Sequence, residues 1–331
     1  MPKVHREADA SLEPLAGKTV AVLGYGNQGR SQALNLRDSG VSVIVGNRED
    51  EYASIARADG FEPRSIADAA KAADVALLLI PDEVQAEVYA GEIAPHLHGG
   101  DVLCFAHGYN IAFGILRAAK DLDIVMVAPR MIGAGVRERF VAGEGFPSFV
   151  GVHQDASGEA EARMLAIAKG IGSTRAGCLE MSLADEAALD LFTEQAFGPA
   201  FGAAMRAAME TLVEAGFPPE AVLLELYMSG ELATSLAKAA EMGMVEQWNL
   251  HSHTSQYGSM TRGARFADLD LKERMTAILG EIRSGEFAKE WQAEQANGLP
   301  IFKMVKEMVR ETPMVVWEAA TRAMFGAPKK R

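Results

Sequence analysis

The stretch Lys18-Thr-Val-Ala-Val-Leu-Gly24-Tyr25-Gly26-Asn27-Gln28-Gly29-Arg30-Ser-Gln-Ala-Leu-Asn-Leu-Arg-Asp38 decides the fold of this chain. Residues 19–23 form a short apolar run, which predicts a buried strand. A glycine turn follows, then a helix to about residue 39. Gly24, Gly26 and Gly29 have the spacing G-x-G-x-x-G. In a strand–turn–helix unit the first glycine allows the tight turn, the second lets a pyrophosphate approach the backbone, and the third lets helix and strand pack closely. Free N–H groups at the helix start then face the phosphates. A second strand at 41–45 completes the unit, so the expected ligand is a dinucleotide bound by Gly24, Tyr25, Gly26, Asn27, Gln28 and Gly29.

The unit continues outward as alternating strands and helices. Strands are expected at 75–80, 101–106, 123–128 and 146–152, with helices at 51–58, 65–73, 83–90 and 159–169. The run 75–80 is continuously apolar and ends at Pro81, as a central parallel strand should. This is a Rossmann-type, doubly wound α/β sheet, whose ligands bind at the carboxyl ends of the strands. From about residue 181 the pattern becomes helical, with helices expected at 182–196, 201–215, 219–242, 272–284, 287–297 and 305–322. The reading is therefore a dinucleotide-binding domain over 1–181 and an all-α domain over 182–327.

With 331 residues the chain has room for two such cores. A net charge of −13 argues against nucleic acid or an anionic membrane surface as the main partner. Two cysteines, one in an apolar strand, suit reduced thiols and a cytoplasmic protein. The first residues are polar and charged, unlike a signal peptide, and no apolar run reaches membrane-span length. The basic end Lys329-Lys330-Arg331 reads as solvated.

Several side chains are candidates for chemistry. The acid that commonly ends the second strand and binds ribose is missing, since the sequence there is Val45-Gly46-Asn47-Arg48-Glu49-Asp50-Glu51. Arg48 could meet a 2′-phosphate or stack on adenine. Asp50 and Glu51 would repel that phosphate and could accept from a free ribose, which favours NADH; a solvated loop is the other reading. Asp190 and Glu194 lie four apart on one helical face, where like charges destabilise a helix unless a cation lies between them. Such oxygens suit Mg²⁺, although by spacing alone a solvated acidic face is the simpler reading. Glu225 and Glu231 are six apart, about 600° of rotation, and cannot share a face of a regular helix without a bulge. His107 and Arg130 each end a strand, the position where a doubly wound sheet holds its ligand. Arg130 can clamp a carboxylate but exchanges protons poorly.

Further stretches carry a resemblance: Leu79-Ile-Pro81-Asp82-Glu83, Phe105-Ala-His107-Gly-Tyr-Asn-Ile111, Val127-Ala-Pro129, His153-Gln-Asp-Ala-Ser-Gly158 and Ala168-Lys-Gly-Ile-Gly172. In the helical half they are Asp190-Leu-Phe-Thr-Glu194-Gln195, Glu210 to Glu220, and Gly285-Glu-Phe-Ala-Lys-Glu-Trp291. With the glycine motif they make the chain similar, over nearly its whole length, to the short-form ketol-acid reductoisomerases. The resemblance implies conversion of 2-acetolactate-type acids to 2,3-dihydroxy acids in branched-chain amino acid biosynthesis, using NADH or NADPH and Mg²⁺. It implies a knotted helical domain that forms a homodimer or larger homo-oligomer. Asp190 and Glu194 would bind metal, which displaces the solvated-face reading, and Glu225 and Glu231 would come from the partner subunit. Ser252 would hold the substrate carboxylate, and Pro81, Asp82 and His107 would lie at the cofactor.

The chain departs from the family where Arg130 replaces a lysine, where Ser229 falls at the second glutamate unless two residues are inserted to bring Glu231 there, and where His253 follows Ser252. Two other readings follow from these departures. One is reduction of a different 2-keto acid, or an imine made from one, without migration. The other is a non-enzymatic NAD(P)-binding protein.

Overall fold

The computed structural model describes residues 2–325. The expected basic end at 329–331 and residues 326 and 327 of the second domain lie outside the described residues. The chain divides into two compact units, the first running up to Asp190 and the second starting at Leu191. The sequence reading put the division at 181.

Among the described residues the first unit carries an eight-stranded sheet in the order β1-β8-β7-β6-β5-β4-β2-β3. The strands are β1 (Val4–His5), β2 (Thr19–Leu23), β3 (Ser42–Gly46), β4 (Val75–Leu78), β5 (Val102–Phe105), β6 (Asp123–Pro129), β7 (Ser148–Gln154) and β8 (Cys178–Glu180). Five of them, β3, β2, β4, β5 and β6, run parallel, as the continuous apolar strands require. β7 is antiparallel to β6, β8 parallel to β7 and β1 antiparallel to β8. β1 and β8 are not among the expected strands. They are two and three residues long and have too few residues for a period-two signal.

The first unit's helices are α1 (Asn27–Asp38), α2 (Glu51–Ala58), α3 (Ile66–Lys71), α4 (Asp82–Val88), α5 (Tyr109–Ala112), α6 (Gly133–Val141), α7 (Ala160–Ile171) and the start of α8 (Leu183–Phe192). Strand alternation sorts the core. Val20 and Val22 face one layer, with Leu36 of α1, Val136 of α6 and Ile167 of α7. Ala21 and Leu23 face the other, with Ile66 and Ala69 of α3 and Ile93. Leu183 packs on Met126 and Ala128 of β6, so α8 begins as part of the sheet's cover rather than of the helical unit. The order reverses direction at β2, which lies between β3 and β4, and such a switch point opens a crevice at the strands' carboxyl ends.

The second unit contains α9 (Gly198–Glu214), α10 (Pro219–Leu223), α11 (Glu231–Met242), α12 (His253–Arg262), α13 (Leu271–Ser284), α14 (Glu286–Ala296), α15 (Pro300–Arg310) and α16 (Pro313–Phe325). One core gathers Met209, Val222 and Leu223 with Trp317. The sequence reading needs four corrections here. The break expected at 197–200 is absent, because the π-turn Thr193–Phe197 leads into α9 at Gly198. The single helix expected at 219–242 is split by the π-turn Leu224–Met228 and by Gly230, whose φ of 84° only glycine adopts readily. The helix expected at 305–322 is split at Pro313, which lacks the N–H that would continue α15. α12 was not expected at all; its polar sequence, His253 to Arg262, shows no apolar stripe.

Candidate functional site

The glycine turn has the geometry its spacing predicts. Gly24 has a φ of 99°, and a Cβ there would lie 2.9 Å from the Ile80 nitrogen. A Cβ on Gly29 would lie 1.9 Å from the Gly24 carbonyl oxygen, so only glycine lets α1 pack so closely on β2. A Cβ on Gly26 would meet nothing within 4 Å. Its surface is open, which is the approach a pyrophosphate needs. Gly26 also precedes the first turn of α1, whose opening N–H groups lack intrahelical acceptors.

This turn lines a cleft of about 950 Å³, together with Asn47, Arg48, Glu49, Asp50, Pro81, Asp82 and His107. Asn47 accepts from the Tyr25 N–H (3.0 Å) and donates to Asp50 Oδ1 (2.9 Å), so it ties the β3 loop to the glycine turn. Asp50 accepts from the Tyr52 N–H (2.9 Å) and the Ala53 N–H (3.2 Å) and so caps α2. Arg48 Nε donates to Asp50 Oδ2 at 2.8 Å, and Arg57 forks onto Glu49 at 2.7 Å on both arms. Arg48, the cation of the loop, and Arg57 of α2 are thus each paired with an acid of the loop. Glu49 lines the cleft, whereas Glu51 is exposed in the first turn of α2 and is not among the lining residues.

A second cluster lies at the carboxyl ends of β5 and β6. Glu186 on α8 is fully buried. It accepts from the Gly108 N–H (2.8 Å), meets His107 Nδ1 at 3.1 Å and accepts from Arg130 Nη2 (3.1 Å). Arg130 Nη1 donates to Asp190 Oδ1 at 2.9 Å, and its guanidinium lies over the Phe149 ring at 4.9 Å. Asp190 Oδ2 is 3.7 Å from His107 Nδ1. Burial draws the His107 pKa down, but the bond and charge of Glu186, with Asp82 and Asp190, outweigh it and raise the value to about 9. Asp82 is pushed up to about 6, first by burial, then by the charges of Glu83, Glu186 and Asp190. His107 is therefore a cation near neutral pH. Its Nδ1 is committed to Glu186, and Nε2 is the nitrogen that can serve a ligand.

The structure brings His107, Arg130 and Asp190 together. Ligand atoms of His107, Glu186 and Asp190 lie within 4.8 Å of one another, but a protonated His107 cannot ligate a metal and both carboxylates already accept from Arg130, so the trio is a charge-paired cluster. Glu186 was missed by the sequence reading. Its signal was present, because Glu186, Asp190 and Glu194 continue one i, i+4, i+8 face. Gln28, expected at the cofactor, also donates from α1 to the Met131 carbonyl at 2.9 Å, next to Arg130, a contact the sequence reading did not foresee.

The remaining expected residues lie in the second unit. Glu194 belongs to the π-turn Thr193–Phe197 and Glu225 to the π-turn Leu224–Met228. Glu231 opens α11 after Gly230. The Ser252 hydroxyl caps α12, accepting from the Ser255 N–H at 3.3 Å.

Comparison with known proteins covers both units. Residues 14–177 match the acetohydroxy acid isomeroreductase NADPH-binding domain, and residues 183–327 match the ketol-acid reductoisomerase C-terminal domain. The chain is 46% identical, over 95% of its length and 96% of the relative's, to a protein of Pyrobaculum neutrophilum named ketol-acid reductoisomerase (NADP(+)). A protein of the same name from Pyrobaculum islandicum is 44% identical over 98% of both chains. The solved structure of an NADH-preferring ketol-acid reductoisomerase from an uncultured archean matches with a TM-score of 0.93 at 36% identity, over 98% of this chain and 99% of that one.

The Glu186–Arg130 contact should be strongly coupled. Removing one partner of a buried ion pair costs about 3–5 kcal/mol. Glu186→Gln and Arg130→Met should each lower the thermal unfolding temperature, and the double variant should lose less than the sum of the two. Additive losses in a double-mutant cycle would mean that the two side chains do not support each other.

Proposed function

This chain belongs to the ketol-acid reductoisomerase family, and from that premise we propose how its residues divide the work of the family's reaction. It is an NAD(P)H-dependent oxidoreductase that converts a 2-acetolactate-type acid to a 2,3-dihydroxy acid, joining an alkyl migration to a reduction. The observation that carries the assignment of roles is the convergence of the glycine-turn cleft and the His107–Arg130–Glu186–Asp190 cluster at the carboxyl edge of one sheet.

The open face of Gly26 and the start of α1 take the cofactor's pyrophosphate. Asn47 fixes the loop, and Asp50 meets the adenosine ribose. When bound, NAD(P)H supplies the hydride. Mg²⁺, when bound, polarises the substrate carbonyl. Asp190 and Glu194 hold the metal, joined by Glu225 and Glu231 from the second copy of a homodimer. The π-turn at Leu224–Met228 and the kink at Gly230 free those glutamates from the spacing of a regular helix. His107, charged and oriented by Glu186, offers Nε2 to a developing negative oxygen. Arg130 holds the Asp190 carboxylate, and Ser252 takes the substrate carboxylate. Exposed Phe197, Phe201, Phe302 and Met308 in the helical unit support the homodimer. Two free, buried cysteines fit a cytoplasmic setting, and no helix of the described residues is long and apolar enough to cross a membrane.

NADH is the preferred cofactor in this proposal, because Arg48 and Arg57 are already bound to acids of the loop. Asp50→Ser removes charge yet can still cap α2. It should shift the ratio of kcat/KM values towards NADPH by about 1–2 kcal/mol. Equal efficiency with both cofactors in the unmodified protein would remove this reading.

One observation favours a share for the reading without migration. A guanidinium exchanges protons poorly, so Arg130 is unsuited to assist removal of the tertiary hydroxyl proton as a lysine could. With Mg²⁺ and NADH, the protein should reduce 3-hydroxy-3-methyl-2-oxobutanoate faster than it converts 2-acetolactate, and Arg130→Lys should narrow the gap. Equal rates on the two acids would show that Arg130 does not hinder migration.

A further inference from the structure

At the opposite edge of the sheet from β3, three elements aim side chains at one point. His5 on β1 pairs in register with Cys178 of β8. Cys178 and Glu180 share a face of β8, so Glu180 is the diagonal neighbour of His5. Glu161 reaches the same point from the first turn of α7. His5 is only 3% exposed, and its Nε2 is buried with no hydrogen-bond partner. That atom lies 3.4 Å from Glu180 Oε2 and 4.0 Å from Glu161 Oε1. The three ligand atoms all fall within 4.8 Å of one another.

We propose that His5, Glu161 and Glu180 form a binding site for a divalent transition-metal ion of the zinc class, separate from the cofactor cleft and its carboxylates. A buried, unpaired imidazole nitrogen facing two carboxylates is a mixed nitrogen–oxygen donor set. Zinc takes such ligands at 2.0–2.2 Å, which sets tetrahedral ligand–ligand distances of about 3.3 Å. The His5–Glu180 distance matches that span already. The Glu161 side chain, largely exposed, has to close on His5 by about 0.7 Å from its present 4.0 Å. Imidazole favours zinc, nickel or copper over magnesium, which prefers oxygen alone. Positive charge already gathers there. The Lys3 ammonium is 2.6 Å from Glu161 and 3.9 Å from Glu180. With a side chain 58% exposed, Lys3 can swing into solvent and yield its place. A bound ion would join β1 to β8 and α7 and so stabilise the folded chain in proportion to its occupancy.

The test uses the full chain dialysed against Zn²⁺ in excess Mg²⁺, with metal per chain measured by elemental analysis. The unmodified protein should retain one more zinc ion per chain than His5→Asn, and one more than the double variant Glu161→Gln with Glu180→Gln. Lys3→Ala should keep that ion and hold it more tightly in a calorimetric titration. All four proteins should bind NADH alike. The double variant alters only exposed side chains, so it decides the matter if His5→Asn folds poorly. Equal zinc content in the unmodified protein and the double variant would overturn the proposal, as would loss of the ion in Lys3→Ala.

Discussion

The candidate active centre rests on one buried carboxylate. Glu186 is sealed from solvent, and an uncompensated charge there would cost several kcal/mol. Three donors offset that cost: the Gly108 N–H, the His107 ring and one arm of Arg130. Two come from the turn after β5 and one from the residue after β6, so satisfying Glu186 fixes β5's exit, β6's exit and α8 relative to one another. The second arm of Arg130 then aims Asp190. A Cβ on Gly108 would lie 2.2 Å from the Leu183 carbonyl oxygen, so glycine is required for α8 to come close enough for this arrangement.

The same logic joins the two halves of the cleft. Gln28 belongs to the glycine turn, yet its amide donates to Met131, the neighbour of Arg130. A Cβ on Gly133 would sit 1.9 Å from the Asn27 carbonyl oxygen, so α6 starts directly against the beginning of α1. The glycine turn and the His107–Arg130–Glu186–Asp190 cluster are therefore held side by side on one framework.

The sheet and the glycine turn could be read from the sequence because their signals are local. Continuous apolar runs mark buried parallel strands, and the glycine spacing reports close approaches that occur within one βαβ unit. The errors fall where the cause is not local. β1 and β8 form because they pair with each other at the sheet's edge, which five residues of sequence cannot announce. The π-turn at 224–228 leaves helical periodicity almost intact, so a single helix over 219–242 was the natural expectation, whereas at 197–200 a break was expected and the π-turn at 193–197 instead runs on into α9. Gly230 and Pro313 were readable stop signals that apolar periodicity outweighed. Glu186 was passed over because a glutamate in a helix is usually solvated, and only the fold reveals three donors around it. His107, Arg130 and Asp190 were found partly by their addresses at strand ends and partly through the family resemblance.

If Glu186 organises the centre, its effect must appear in turnover rather than in cofactor capture. The decisive measurement is steady-state turnover of 2-acetolactate by Glu186→Gln, beside the dissociation constant for NADH measured by fluorescence. Misplacing His107 and Arg130 should lower kcat by roughly 10²-fold, the scale of an ångström-sized displacement of catalytic groups. The NADH constant should change much less than kcat, because none of Glu186's three donors belongs to the glycine turn that holds the pyrophosphate in this account. Retained kcat, or a loss explained by weaker NADH binding, would contradict the account.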